Sequence, residues 1–156
     1  MSEINIKQEL LNNDLVTSGL LNLLCGEHIG SGGTRHVFQH ANDPELGVKI
    51  ETPKYTAAVG NVTEFYLWSE YISKNEEISK WFAECKQISH CGRILIQERT
   101  MPIHPQFFVE NDIKIPNFFS DVKSENFGHE RSLESSNDII KCHDYSTITL
   151  RTLDMA

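Results

Sequence analysis

The sequence predicts a mixed α+β domain: an antiparallel sheet with one helix packed on it, preceded by a helical cap. Three observations carry that expectation. Ile29 and Val37-Phe38 flank the glycine cluster Gly30-Ser31-Gly32-Gly33 as strand ends flank a turn. Gly47-Val48-Lys49-Ile50-Glu51 reads as a further strand, entered through the turn Asn42-Asp43-Pro44-Glu45. Residues 57–73 then change to helical spacing, with Val62, Phe65, Tyr66 and Ser69 sharing one face and Glu64 bordering it.

The remaining elements follow in order. Across residues 4–24 apolar positions recur, the first group (Ile6, Leu10, Leu11, Leu15) at helical spacing, and Thr17-Ser18-Gly19 divides the stretch into two short helices capping the sheet. After the long helix, residues 76–85 read as a second short one carrying Ile78, Trp81 and Phe82. Gln87-Ile88-Ser89-His90 and Arg93-Ile94-Leu95-Ile96-Gln97 bracket Cys91-Gly92 as two strands joined by a tight turn. Prolines 102, 105 and 116 make residues 101–119 irregular chain with little room for a long helix. Residues 121–128 are polar and turn-like, and 130–138 form a charged, serine-rich loop. Ile139-Ile140-Lys141-Cys142 reads as a strand, and residues 147–153 alternate like another.

Bulk properties bound the function. A chain of 156 residues suits one compact domain with a real core, and is short for two. A net charge of −8 disfavours a nucleic-acid reader working through a basic surface, yet leaves room for a nucleotide site needing only a few local cations. The four cysteines, irregularly spaced and with no secretory pattern ahead of them, are expected to be thiols in a reducing compartment. With no apolar run near the roughly 18 residues of a spanning helix, the expected location is the cytoplasm, away from membrane.

Two stretches could carry chemistry. Glycines let the backbone approach a ligand closely, and successive N–H groups in such a loop form a nest for anionic oxygen. Lys49, nineteen residues after Gly30, could pair phosphates, and Glu64 could hold its ammonium in place, with Glu70 the competing partner. The loop Asp121-Val122-Lys123-Ser124-Glu125-Asn126 packs an acid, a cation and an amide together: a hydroxyl-orienting carboxylate, a phosphate cation and a metal ligand. Asp144 follows an apolar strand, where a carboxylate suits Mg²⁺, a hard cation that wants oxygen. Cys85, His90, Cys91, Cys142 and His143 are residue types that bind zinc, but no Cys-x-x-Cys pair organises them.

Read together, residues 26–150 resemble the protein-kinase signature. Gly30-Ser31-Gly32 followed by Val37 resembles the glycine-rich loop, Val48-Lys49-Ile50 the lysine strand, and Glu64 the helix glutamate. Leu95-Ile96-Gln97-Glu98-Arg99 is similar to the strand leading into the hinge, Asp121-x-Lys123-x-x-Asn126 to the catalytic loop, and Asp144-Tyr145-Ser146 to the Asp-Phe-Gly metal motif. The resemblance implies a cap at 1–25 and a minimal kinase-like domain at 26–156, with a small lobe and a strongly reduced second lobe. It implies ATP and Mg²⁺ as cofactors. Gly30, Ser31, Gly32, Gly33, Val37, Lys49 and Glu98 would contact the nucleotide. Asp121, Lys123, Lys49 and Glu64 would be catalytic, and Asn126 and Asp144 would hold the metal. The implied activity is transfer of the ATP γ-phosphate to protein hydroxyls, the chain's own included.

Departures from the pattern define the alternative. Arg35 stands where a third glycine is expected, Phe119-Ser120 replace the His-Arg before the catalytic aspartate, and Tyr145-Ser146 replace Phe-Gly. The interval from Glu98 to Asp121 is too short for the usual helices of the larger lobe, and no Ala-Pro-Glu motif follows Asp144. Compact, divergent kinases of this kind are what phages and other mobile elements tend to encode. The reduced lobe, Arg35 and the acidic net charge support a second reading, a pseudokinase: a kinase-shaped module that inhibits or scaffolds a protein partner.

Overall fold

A computed structural model describes residues 18–52, 59–130 and 140–148. Five strands form an antiparallel sheet: β1 (Cys25–Ser31), β2 (Arg35–His40), β3 (Leu46–Glu51), β4 (Cys85–Ile88) and β5 (Ile94–Glu98), in the order β1-β2-β3-β5-β4. A second antiparallel sheet has the order β6-β7-β8, from β6 (Thr100–Pro102), β7 (Phe127–Glu130) and β8 (Ile140–Cys142). Its helices are few and mostly short: α1 (Ser18–Leu24), α2 (Gly60–Glu70), α3 (Glu76–Ser79) and α4 (Pro105–Glu110). The molecule is thus mixed α+β, as its sequence pattern predicts. Among the described residues no helix is long and apolar enough to cross a membrane.

Strand register sorts the large sheet into two unlike faces. Phe38 lies opposite Val48, and Ile50 opposite Ile94, so these side chains share one face. With Leu21 of α1 and Cys25 they form a buried apolar cluster, which is where the helical cap sits. The first part of the expected cap lies outside the described residues. On the other face Val37 lies opposite Lys49, and Lys49 opposite Leu95, with Arg35 opposite Glu51. This face buries charge, so each group needs a partner. Glu51 finds one in α2: its Oε1 accepts the Asn61 backbone N–H at 2.9 Å, placing a carboxylate at the positive end of a helix that lacks its own side-chain cap.

The larger core lies between α2, the far edge of the sheet and the second sheet. It gathers Leu67, Ile72, Phe82, Leu95, Phe127 and Tyr145. Phe82 meets Phe118, Phe119 and Tyr145 with ring centroids 5.9, 5.0 and 5.0 Å apart. Backbone bonds stitch the sheets: Ala83 N–H donates to Cys142 O at 2.9 Å, and Cys142 N–H to Trp81 O at 2.7 Å.

Val62, Phe65, Tyr66 and Ser69 do share one face of α2, and with Ile88 and Gly92 they line an open depression; Val62 and Tyr66 are 47% and 50% exposed, and the buried face carries Asn61, Glu64 and Leu67. Several expectations are corrected. The helix expected over 76–85 stops after Ser79, because Phe82 bridges to Cys142 and Cys85 begins β4. The irregular stretch at 101–119 contains the short α4, with Pro105 at its start, where a missing N–H costs nothing. Phe127, Gly128 and Glu130, read as turn and loop, belong to β7. Of the strand expected at 147–153, Thr147 and Ile148 are non-strand residues, and the rest lies outside the described residues, as does most of the 130–138 loop.

Candidate functional site

The site begins with the glycine turn. Gly32 N–H donates to Arg35 O at 2.9 Å, closing the hairpin between β1 and β2. Ser31, Gly32 and Gly33 are exposed at its tip, with Gly30 partly covered. A Cβ at Gly30, Gly32 or Gly33 would meet nothing within 4 Å, and among the described residues the glycine at positive φ is Gly92 (75°). Packing within the chain therefore does not demand glycine at this tip, and open space lies beside its backbone.

Below the turn, Lys49 is buried on β3, and its Nζ lies 2.8 Å from Glu64 Oε2. The competing acid, Glu70, pairs with Lys74 on the surface at 3.1 Å. Glu64 is fully buried and saturated: its Oε1 also meets Arg35 Nη1 at 2.9 Å and accepts the Tyr145 N–H at 3.2 Å. Arg35 reaches on with Nη2 to Asp144 Oδ1 at 2.6 Å. Lys49 also donates to the carbonyl of His143. Residues 35, 49, 64 and 144, from four separate segments, thus form one bonded cluster. Its two cations and two carboxylates balance.

The electrostatics follow from that packing. Burial works against the Arg35 charge, but Glu64 and Asp144 outweigh it and hold the guanidinium above its usual pKa. For Asp144, burial is likewise the largest effect and opposes ionisation, yet Arg35 and Lys49 outweigh it and keep the carboxyl below its usual value. Its side chain remains 44% exposed, within reach of solvent. His143 is pressed down to about 4 by burial and then by the Lys49 charge. Its Nε2 faces Glu125 O at 2.9 Å and its Nδ1 faces the Thr100 hydroxyl at 2.7 Å, which fits a neutral ring donating from Nε2.

The second informative loop is delivered by a hairpin. The segment 121–126 feeds β7, and residues 143 and 144 leave β8, so strand pairing sets both at one end. His143 N–H donates to Asn126 O at 2.8 Å, and the Asn126 side-chain amide donates to Asp121 O at 3.0 Å. Lys123 pairs with Asp121 at 3.2 Å on the surface. The Asn126 amide donates through nitrogen and leaves its oxygen for another partner. The two expected metal residues are thus each engaged: the Asn126 side chain within its own loop, and one Asp144 carboxylate oxygen by Arg35. Among the described residues no group of three or more His, Cys, Asp or Glu side chains is placed to hold a metal. Cys85 and Cys142 are buried, their thiols pushed upward by burial, to about 12 for Cys85.

Two of the remaining expected residues differ in availability. Val37 is half-buried beside Lys49. Glu98 is committed elsewhere, since Oε1 accepts from Lys141 at 2.6 Å and Oε2 from the Glu84 N–H at 3.1 Å, a tie between the two sheets. Sequence reasoning missed Asn61. It is fully buried, donates to the carbonyls of Lys49 and Arg93 at 3.2 and 2.9 Å, and faces Arg35. The spacing of three between Asn61, Glu64 and Leu67 was the available signal for that face. No protein-family model matches the chain, and no curated protein does.

Proposed function

We propose that the chain is a minimal ATP-dependent phosphotransferase acting on protein hydroxyls. The observation that carries this reading is the buried Lys49–Glu64 ion pair, joined through the Tyr145 N–H to the segment bearing Asp144. A lysine brought into the interior and oriented by one carboxylate is what a phosphate-gripping cation requires. The glycine turn above it, whose residues are glycine for no reason of internal packing, would lay its N–H groups against phosphate oxygens. Val37, beside Lys49, would cover the base, and Glu98 is a nucleotide-contact residue whose carboxylate is already engaged by Lys141.

In the transfer, the substrate hydroxyl oxygen bonds to the γ-phosphorus as the bond from that phosphorus to the β,γ-bridging oxygen breaks. Asp121 takes the hydroxyl proton, and ADP leaves. Lys123, 3.2 Å from Asp121, would offset charge on the moving phosphoryl group. Asp144 and Asn126 are the residues that would hold Mg²⁺, which when bound neutralises phosphate charge. Positioning and electrostatics dominate such chemistry, so a small scaffold suffices.

The test is incubation with radiolabelled ATP and Mg²⁺, with ATP binding followed in parallel. Asp121→Ala is expected to reduce transfer by about 10²-fold or more with binding nearly intact, as for loss of a proton acceptor. Lys49→Ala should weaken both. An unchanged transfer rate in Asp121→Ala would remove that residue from the mechanism. One observation favours a second reading, a partner-binding pseudokinase: the Arg35 guanidinium on Asp144. Absence of both transfer and ATP binding in the wild type would select it.

A further inference from the structure

Lys49 is gripped twice by α2. Its side chain reaches forward, with Nζ 2.8 Å from Glu64 Oε2, and its backbone carbonyl accepts from the Asn61 side-chain amide at 3.2 Å. Asn61 and Glu64 stand three residues apart, as neighbours on one face of the helix. The same amide donates to Arg93 O at 2.9 Å, and the Asn61 backbone N–H donates to Glu51 Oε1 at 2.9 Å. One fully buried residue thus ties the start of α2 to β3 and to the residue leading into β5.

These ties work against an apolar pull. Val62 and Tyr66, on the face that lines the open depression, stay 47% and 50% exposed, while the polar Asn61 and Glu64 are wholly buried. Turning α2 about its axis toward that face would cover apolar surface and carry Glu64 away from Lys49. Hydrophobic burial therefore does not select the observed rotation of the helix. Bonded polar groups do, because a buried amide or carboxylate stripped of its partners is costly.

We propose that Asn61 is the positioning residue of the site: it fixes the rotation of α2 on the sheet, so that Glu64 meets Lys49 and the ammonium is held ready for a phosphate group. The inference rests on reading Lys49 as the phosphate-gripping cation. Asn61 acts through Glu64 and Lys49 rather than on the nucleotide itself.

The experiment compares urea denaturation of wild type, Asn61→Ala, Lys49→Met and the double variant. Methionine keeps the apolar stem and the backbone carbonyl that Asn61 holds, and removes the ammonium. Asn61→Ala should lower the midpoint of wild type by roughly half as much again as it lowers that of Lys49→Met, which has no Lys49–Glu64 pair left to misplace. A purely structural amide gives equal shifts in the two backgrounds, and equal shifts overturn the proposal. Should Asn61→Ala fail to fold by circular dichroism, Asn61→Ser, whose hydroxyl donates to one carbonyl only, takes its place under the same criterion. ATP affinity is measured separately by calorimetry, with Gly128→Ala as a variant destabilised in the second sheet. Asn61→Ala should bind ATP about tenfold more weakly than wild type, the scale of losing one hydrogen bond to a charged group, and Gly128→Ala should bind as wild type does. Equal weakening in both variants also overturns the proposal. A wild type that binds no ATP removes the nucleotide reading, while the midpoint comparison still decides the role of Asn61.

Discussion

Glu64 accepts from Lys49, Arg35 and the Tyr145 backbone while wholly removed from solvent, so its carboxylate is the anion on which the buried charges depend. Removing one member of a buried ion pair leaves its partner uncompensated, at a cost of about 3–5 kcal/mol. Glu64→Ala strands two cations and should lose about that much in urea denaturation. Lys49→Ala should lose less, because Arg35 still serves Glu64. His143 supplies a pH effect. Its ring titrates near 4 in the folded chain against 6.5 ordinarily, so between those values the unfolded chain binds the extra proton. Stability therefore falls as pH drops from about 6.5 to 4, by about 3 kcal/mol, and levels below. Asp144 has its folded pKa below 3.8; its contribution is present above that value and is lost only in stronger acid, outside the His143 window. Denaturation midpoints across this range should flatten in His143→Gln.

The elements that matter most here are hairpins, each presenting chemistry at one end. The β1–β2 hairpin was legible because glycine, β-branched and aromatic residues punctuate it strongly. The β7–β8 hairpin was half legible: Ile139–Cys142 gave one strand, but Phe127-Gly128-His129-Glu130 lacks apolar alternation and its pairing comes from partners distant in sequence. A Cβ on Gly128 would lie 2.6 Å from Met101 O, a backbone atom that cannot rotate away. Gly128→Ala should therefore cost about 1–3 kcal/mol, the usual penalty of overpacking, and lower the thermal midpoint. In α2 the Lys49 partner was legible from spacing, while the orientation of the helix was not. The need to satisfy buried Lys49, Arg35 and Glu51 turns Asn61 and Glu64 inward, which apolar spacing does not signal.

Over the whole molecule, the two sheets are joined by the Phe82–Cys142 bridge, the Glu98–Lys141 ion pair at 2.6 Å and the charged cluster under the glycine turn. The order of chemistry-bearing segments along the chain was legible, whereas the Arg35 contacts were not, because they link residues 109 positions apart through a side chain that read as a departure. Joined cores should open together. Cys25 lies in one apolar cluster and Cys142 in the other, both buried, while Cys91 is exposed with its thiol held below its ordinary pKa by the Ser89 hydroxyl. Iodoacetamide should label Cys91 in the native protein, and Cys25 and Cys142 should become reactive at the same urea concentration. Separate midpoints would divide the molecule into two folding units. The glycine tip is anchored at Thr34, whose carbonyl accepts from the Thr52 N–H at 2.8 Å and the Thr52 hydroxyl at 3.0 Å, while a Cβ at Gly32 or Gly33 would meet nothing within 4 Å. A side chain added at Gly32 or Gly33 therefore points into open space and should leave the urea midpoint nearly unchanged, so any effect such a substitution has on ligand binding would report on the turn itself.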